Sequence, residues 1–195
     1  MFNPFSARRT KAPVVLDVHL NSRLQPQHRG DVFEDPLDQL LAKHAPGSEV
    51  IGGGTEFDPE RGPLSCDSEV RLSGDPEETT RRVIDILEFL GAPTGSWARL
   101  GDGEPIRFGT WHGLSLALDG TTLPDEVYDQ NSTQDLVDRI DAALPEDAER
   151  HSSWAGPAWT YLYYYGRDLE ALRAAIESVT SVHPLAANHV IEKIT

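Results

Sequence analysis

The sequence predicts an α+β protein built as two tandem ferredoxin-like (β-α-β-β-α-β) repeats with antiparallel sheets. Three observations lead there. Short runs alternate apolar and polar residues with period two, as half-buried strands do. Longer runs carry apolar stripes at helical spacing behind Asp or Ser caps. The order of these elements in the first half recurs about 90–100 residues later in the second. Residue identity between the halves is low, so the repeat is one of pattern.

Val14 to Leu20 reads as a strand, with Leu16, Val18 and Leu20 on one face and Val15, Asp17 and His19 on the other. A linker with Pro26 and Gly30 follows. Asp35-Pro36 reads as the cap and first turn of a helix carrying Leu37, Leu40 and Leu41 and ended by Gly47. Glu49 to Phe57 is extended. Asp58-Pro59 with Gly62-Pro63 then turns the chain into a strand from Leu64 to Leu72. Gly74-Asp75-Pro76 opens a helix striped by Val83, Ile84, Ile86, Leu87 and Leu90, and Gly91 with Pro93 closes it. Trp97 to Leu100 is a short strand.

In the second half, Ile106 to Thr110 leads in as an extra strand, and Gly113 to Asp119 places Leu114, Leu116 and Leu118 on one face. Ser132-Thr133 caps a helix running to Leu144, with Leu136, Val137 and Ile140 inward. Residues 150–157 are weakly extended. Trp159 to Tyr165 is an aromatic strand ended by Gly166. Asp168 caps a helix with Leu169, Leu172, Ile176 and Val179 inward, and His189 to Ile194 is a last strand. The expected organisation is a flexible tail at 1–11, a first repeat at 12–100 and a second at 101–195 packed on the first.

Seventeen basic against 32 acidic residues give a net charge of −15 in 195 residues. Residues 101–195 carry 6 basic and 16 acidic groups, so the excess is steepest there. Such a field repels nucleic-acid phosphates and anionic membranes and draws basic proteins, and it also serves plain solubility. No nucleic-acid and no membrane partner is expected. Cys66 is the only cysteine, which excludes an internal disulfide and a cysteine-rich zinc site and fits a reducing, cytoplasmic setting. Its small and apolar neighbours at period two make it a buried structural thiol.

The glycine run at Gly52, Gly53 and Gly54, followed by Thr55, lacks the Gly-Lys-Ser/Thr ending of a P-loop and the helix of a dinucleotide fingerprint. Glu49, Glu56 and Asp58 also place negative charge where a phosphate would sit. A bulge or a close backbone crossing is the better reading. None of the seven histidines forms an H-x-x-H, H-E-x-x-H or H-x-H pair. Asp17 and His19, with Asp67 or Glu69 from a neighbouring strand, are the one metal arrangement the pattern offers, and an exposed polar face is the favoured alternative. Asp31, Glu34, Asp35 and Asp38 crowd a helix N-terminus, where the dipole stabilises acids. No Gly-x-Ser-x-Gly elbow occurs. No cofactor and no metal site is assigned.

Trp159, Tyr161, Tyr163 and Tyr165 share one strand face. Aromatics in that arrangement stack RNA bases in some modules, but the strand itself carries no cation and residues 101–195 hold only six basic groups to neutralise phosphates. They either seal the two repeats together, the favoured reading, or serve as hot spots for a protein partner.

The motifs EDPL at 34–37, GGGT at 52–55, LGAPTGS at 90–96, LALDG at 116–120, LPDEVY at 123–128 and YYYG at 163–166 resemble those of a group of small uncharacterised bacterial proteins. Some of these are similar to immunity proteins of bacterial toxin systems. The resemblance spans most of the chain and implies no residue roles.

Together these readings lead to a non-enzymatic, acidic protein that binds another protein with a basic surface. Its sharper form is an immunity-type inhibitor steered onto a basic toxin domain. Asp125, Glu126, Asp129, Asp135, Asp138 and Asp141 crowd one loop–helix segment and are the candidate partner-binding residues. An alternative is a small-molecule sensor holding its ligand between the repeats, with Gly52, Gly53, Gly54, Thr55, Tyr161 and Tyr163 as ligand-binding residues. A further alternative is a metal-dependent enzyme using Asp17, His19 and Asp67.

Overall fold

The computed structural model describes residues 13–194, so the tail expected at 1–11 lies outside the described residues. The chain is α+β with two antiparallel sheets. Its first half runs β1 (Val14–Leu20), α1 (Pro26–Arg29), a π turn (Gly30–Glu34), α2 (Asp35–His44), β2 (Glu49–Asp58), β3 (Gly62–Leu72), α3 (Pro76–Phe89), β4 (Ser96–Leu100) and β5 (Ile106–Phe108). The second half runs β6 (His112–Asp119), α4 (Asp125–Gln130), α5 (Thr133–Ala143), β7 (Ala148–Ala155), β8 (Trp159–Gly166), α6 (Leu169–Thr180), a 3₁₀ turn (Pro184–Ala186) and β9 (Val190–Lys193).

The strand orders are β2-β3-β1-β4-β5 and β7-β8-β6-β9. With β5 set aside, each sheet arranges its four strands as second, third, first, fourth of its half. The strand at 106–108 pairs with β4 and so extends the first sheet instead of leading into the second.

Each sheet buries one face under two helices. In the first, Leu16, Val18 and Leu20 of β1 stand opposite Val70, Ser68 and Cys66 of β3. Leu37 and Leu41 of α2 with Val83 and Leu87 of α3 close that core. In the second, Leu114, Leu116 and Leu118 of β6 join Leu162 and Tyr164 of β8 beneath Leu136 and Ile140 of α5 and Leu172 and Ile176 of α6. Full burial of such a side chain contributes about 1.5–3 kcal/mol, so these stripes fix which face each element turns inward. The helix starts follow the caps read from the sequence: Asp75, Ser132 and Asp168 each accept backbone N–H groups of the first turn that follows.

The expected linker around Pro26 and Gly30 is helical instead. Pro26 opens a helix that continues to His44, and Asp35 sits inside it with φ −66° and ψ −46°. Asp35 therefore caps nothing. Pro36 has no N–H to give and its ring crowds the carbonyl four residues back, so an ordinary turn cannot run through it. The chain widens by one residue there, and Asp35 N–H bonds the Gly30 carbonyl five residues back, which is the π turn.

Asp119 ends β6 and ties the loop that follows to the segment before β9. It accepts hydrogen bonds from the Thr122 hydroxyl, from Asn188 Nδ2 at 3.0 Å, and from the Thr121 and Thr122 amides, each at 2.9 Å. The Thr122 hydroxyl first, then Asn188 and the two amides, hold this carboxyl well below the usual carboxylate range. Among the described residues no helix is long and apolar enough to cross a membrane.

A depressed carboxyl stabilises the fold fully above its unfolded value, about pH 4, and that contribution is lost as pH falls through the folded value. Urea denaturation at a series of pH values should therefore find wild type more stable than Asp119→Asn near neutrality, with the gap shrinking below about pH 4. A gap independent of pH would contradict this role.

Candidate functional site

The helix-free face of the second sheet is where the two halves meet. Its centre is β8, whose Tyr163 and Tyr165 are fully buried. Opposite Tyr165 on β6 stands Gly113, where a Cβ would come within 2.6 Å of the Tyr165 ring, so only glycine leaves the ring its place. Opposite Tyr163 and Tyr161 stand the small residues Ser115 and Ala117. On the other flank β7 bulges between Arg150 and Ser152. The fully buried His151 ring stacks on Tyr165 at 4.6 Å, faces Trp111 at 5.8 Å and meets Phe33 edge-on.

The first half covers this face with the segment after β1 and with the β2–β3 hairpin. The Tyr165 hydroxyl accepts the Arg23 N–H at 2.8 Å, and the Tyr163 hydroxyl donates to the Arg61 carbonyl at 2.9 Å. Ser152 Oγ meets His28 Nδ1 at 2.7 Å and Gln25 N–H at 3.4 Å, and Gln25 Nε2 donates to the Ser153 carbonyl. Phe57 packs edge-on against Trp154 at 4.7 Å. A Cβ on Gly62 would come within 2.6 Å of the Trp154 ring, so the hairpin turn must be glycine to pass. Burial pushes the Tyr165 phenol up to about 12, which keeps it protonated in the seam. The aromatic face is thus mostly a seal between the halves, as the alternation suggested.

The seal stops short of β9. Beside it lies a cavity of about 290 Å³ lined by Arg23, Arg61, Ala117, Trp159, Tyr161, Val190 and Glu192. The Arg23 guanidinium lies over the Tyr163 ring, 5.8 Å from its centroid. Among the described residues the side chains of Arg23, Arg61 and Glu192 make no ion pair, while Arg29, Arg71, Arg81, Arg82, Arg99, Arg139, Arg150 and Arg173 are all paired with carboxylates. Arg23 and Arg61 thus face one hollow beside Trp159 and Tyr161 with no carboxylate on either guanidinium, an arrangement with the chemistry to receive an anion with a flat or apolar body. A larger groove of about 410 Å³ between α2 and α3 is mostly apolar, and its guanidinium, Arg82, is held by Glu78 and the His44 carbonyl.

The structure separates the ligand residues expected to act together. Gly52, Gly53, Gly54 and Thr55 lie on β2, the edge strand of the first sheet, and Gly52 and Gly53 line a different hollow from Tyr161. Tyr163 is sealed beneath Arg23. Of the three glycines, Gly53 admits the protein's own ion pair: a Cβ there would run into Glu34 and come within 2.6 Å of the Asp67 carbonyl oxygen. Arg29 Nε meets Glu34 Oε1 at 2.9 Å, and Arg29 Nη1 donates to Thr55 Oγ1 at 3.0 Å. A break in register between Val50 and Gly52 supplies the expected bulge.

Of the candidate partner-binding acids, Asp125, Glu126 and Asp129 are exposed on α4 and unpaired among the described residues. The three on α5 are engaged: Asp135 with Arg139 at 2.8 Å and His183 at 3.5 Å, Asp138 with Gln134, and Asp141 with Arg150 at 2.9 Å. On the open face of the first sheet, Asp17 pairs with Arg99 at 3.2 Å, and His19 pairs with Asp67 at 2.9 Å while stacking on Trp97. Among the described residues no group of three or more His, Cys, Asp or Glu is placed to hold a metal ion. Cys66 is buried under the Ser22 carbonyl at 3.3 Å, and burial pushes its thiol up to about 11.

No protein-family model matches the chain, and no curated protein matches it. Among solved structures it is similar to the regulatory subunit of aspartate kinase from Thermus thermophilus, with a TM-score of 0.29 and 16% identity over 86% of this chain and 92% of that one. A putative monooxygenase from Lactobacillus acidophilus NCFM gives a TM-score of 0.31 at 11% identity, over 95% of each chain. A mutant chlorite dismutase from Candidatus Nitrospira defluvii gives 0.28 at 8% identity, over 92% of this chain and 90% of that one. Overlaps this loose place neither a ligand nor a reaction on this chain.

Tyr165→Phe leaves the partly buried Arg23 N–H without its acceptor and should cost about 1–3 kcal/mol in urea denaturation. A loss below about 0.5 kcal/mol would mean that the seam does not depend on this bond.

Proposed function

We propose that the chain is a non-enzymatic binding protein made of two tandem ferredoxin-like repeats, the first extended by β5, that holds a small organic anion where they meet. The shared strand order, with both helices of each half on one face of its sheet, supports the repeat reading. The observation that carries the ligand reading is the pair Arg23 and Arg61, neither of them matched to a carboxylate, beside Trp159 and Tyr161. Eight of the fourteen described Lys and Arg side chains pair with carboxylates, and two of the six that do not line this one concave site. This reading keeps the sensor alternative and moves its site from the β2 glycines to the β8–β6–β9 surface.

Isothermal titration with small aromatic and aliphatic carboxylates tests it. Arg61 is exposed, so Arg61→Ala should leave the melting temperature unchanged and weaken binding about 10-fold or more, the worth of one lost charge-assisted hydrogen bond. Equal affinity in wild type and Arg61→Ala would rule the cavity out as the anion site.

A second reading takes α4 as a docking face for a basic protein, with an immunity-type inhibitor as its sharper form. Asp125, Glu126 and Asp129 favour it because they stand exposed and unpaired within one short helix. A Lys substitution at all three positions should abolish salt-sensitive capture of a stoichiometric basic partner from native lysate. Capture that survives the change would place the interface elsewhere.

A further inference from the structure

We infer that the ligand of the junction cavity is a small zwitterion with an aromatic or branched apolar body, of the size and charge pattern of a free α-amino acid. This rests on the anion-binding reading above and narrows it.

The argument comes from the sheet register. Ser115 of β6 stands opposite Tyr163 of β8 on one side and Glu192 of β9 on the other. Tyr163, Ser115 and Glu192 therefore form one row across three strands, about 10 Å from end to end at the usual strand spacing. Ala117 likewise stands between Tyr161 and Val190 in the next row. Arg23 places its guanidinium over Tyr163, at one end of the first row, and Glu192 holds the other end. The two opposite charges face the same hollow without forming an ion pair with each other, and Arg61 adds a second cation to the lining. The second row offers Tyr161, Ala117 and the exposed Val190, a floor for an apolar group, with Trp159 beside it.

Charge balance then selects among ligands. A simple anion would satisfy the guanidiniums, but seating it takes water from Glu192 and leaves that carboxylate beside a like charge. A simple cation would satisfy Glu192 and be repelled by two guanidiniums. A ligand with both a carboxylate and an ammonium answers both ends of the row. The hollow is at the small end of ordinary ligand sites, which run from about 300 to 1,000 Å³, and so suits an amino acid better than a nucleotide.

The test is isothermal titration of the full chain with three probes sharing one ring: L-tryptophan, indole-3-propionate, which lacks the ammonium, and tryptamine, which lacks the carboxylate. L-Phenylalanine and L-leucine are run beside L-tryptophan to cover the apolar body. The expected result is that one or more of the amino acids bind, with L-tryptophan at least about 10-fold tighter than either truncated analogue, one charge-assisted contact being worth that much. In Glu192→Gln the preference for L-tryptophan over indole-3-propionate should collapse, while the melting temperature stays at the wild-type value because Glu192 is exposed on an edge strand. Indole-3-propionate binding as tightly as L-tryptophan in wild type, with both weakened by Arg61→Ala, would overturn the zwitterion and leave the anion site standing. Binding of none of the probes, together with none of the simple carboxylates, would overturn both.

Discussion

A sheet covered by helices on one face must do something with the other. The first sheet of this chain leaves its second face to water, and it fills that face with ion pairs and a His19–Trp97 stack that water tolerates. The second sheet puts three tyrosines there, and a row of phenols is too apolar to leave wet and too polar to bury without partners. The solution is to bring the first half's own chain onto them, with a backbone N–H for one hydroxyl and a backbone carbonyl for another. That requirement sets much else. The segment after β1 must reach β8, the hairpin turn must be thin enough at Gly62 to slip past Trp154, and β6 must be small where the rings lie. The cavity beside the seam is what remains where the cover ends before β9.

The distribution of charge follows a similar economy. Most arginines are tied to carboxylates on their own helix or on the neighbouring strand, which keeps a strongly acidic surface from repelling itself locally. Arg23 and Arg61 are held instead by what their backbones do. Each sits in the seam because its amide or carbonyl serves a tyrosine, and its side chain is then left facing the hollow. Structural duty of the main chain and binding capacity of the side chain are thus combined in the same two residues.

Most of the element order was legible in the sequence because its signals are local. Period-two alternation set β1, β3, β6 and β8, and Asp75, Ser132 and Asp168 marked helix starts by chemistry contained within four residues. The alternation of β8 also sorted its aromatics correctly, with Tyr164 on the helix side and Tyr161, Tyr163 and Tyr165 on the other. What could not be read depends on contacts distant in sequence. The glycines of β2 look like a ligand loop until Arg29 and Glu34 are seen above them, and no local pattern places those residues there. The helix before Asp35 was hidden because Pro and Gly normally punctuate, whereas here Pro26 sits in the first turn and the chain passes Gly30 in helical conformation into a π turn. Arg23, Arg61 and Glu192 carry no motif. They meet only once β9 has paired with β6 and the hairpin has crossed the seam.

That π turn also fixes a phase. A helix advances about 100° per residue, so one extra residue at 30–34 sets α1 and α2 a third of a turn apart. On one side of the offset, His28 meets Ser152 and Arg29 reaches over Gly53; on the other, Leu37 and Leu41 enter the first core. The offset keeps both groups of contacts in register at once. Loss of a single residue there would swing one group away while the other stayed in place. The segment therefore behaves as a gear tooth between the first core and the seam, with Phe33 wedged between them, and its length is as constrained as its packing.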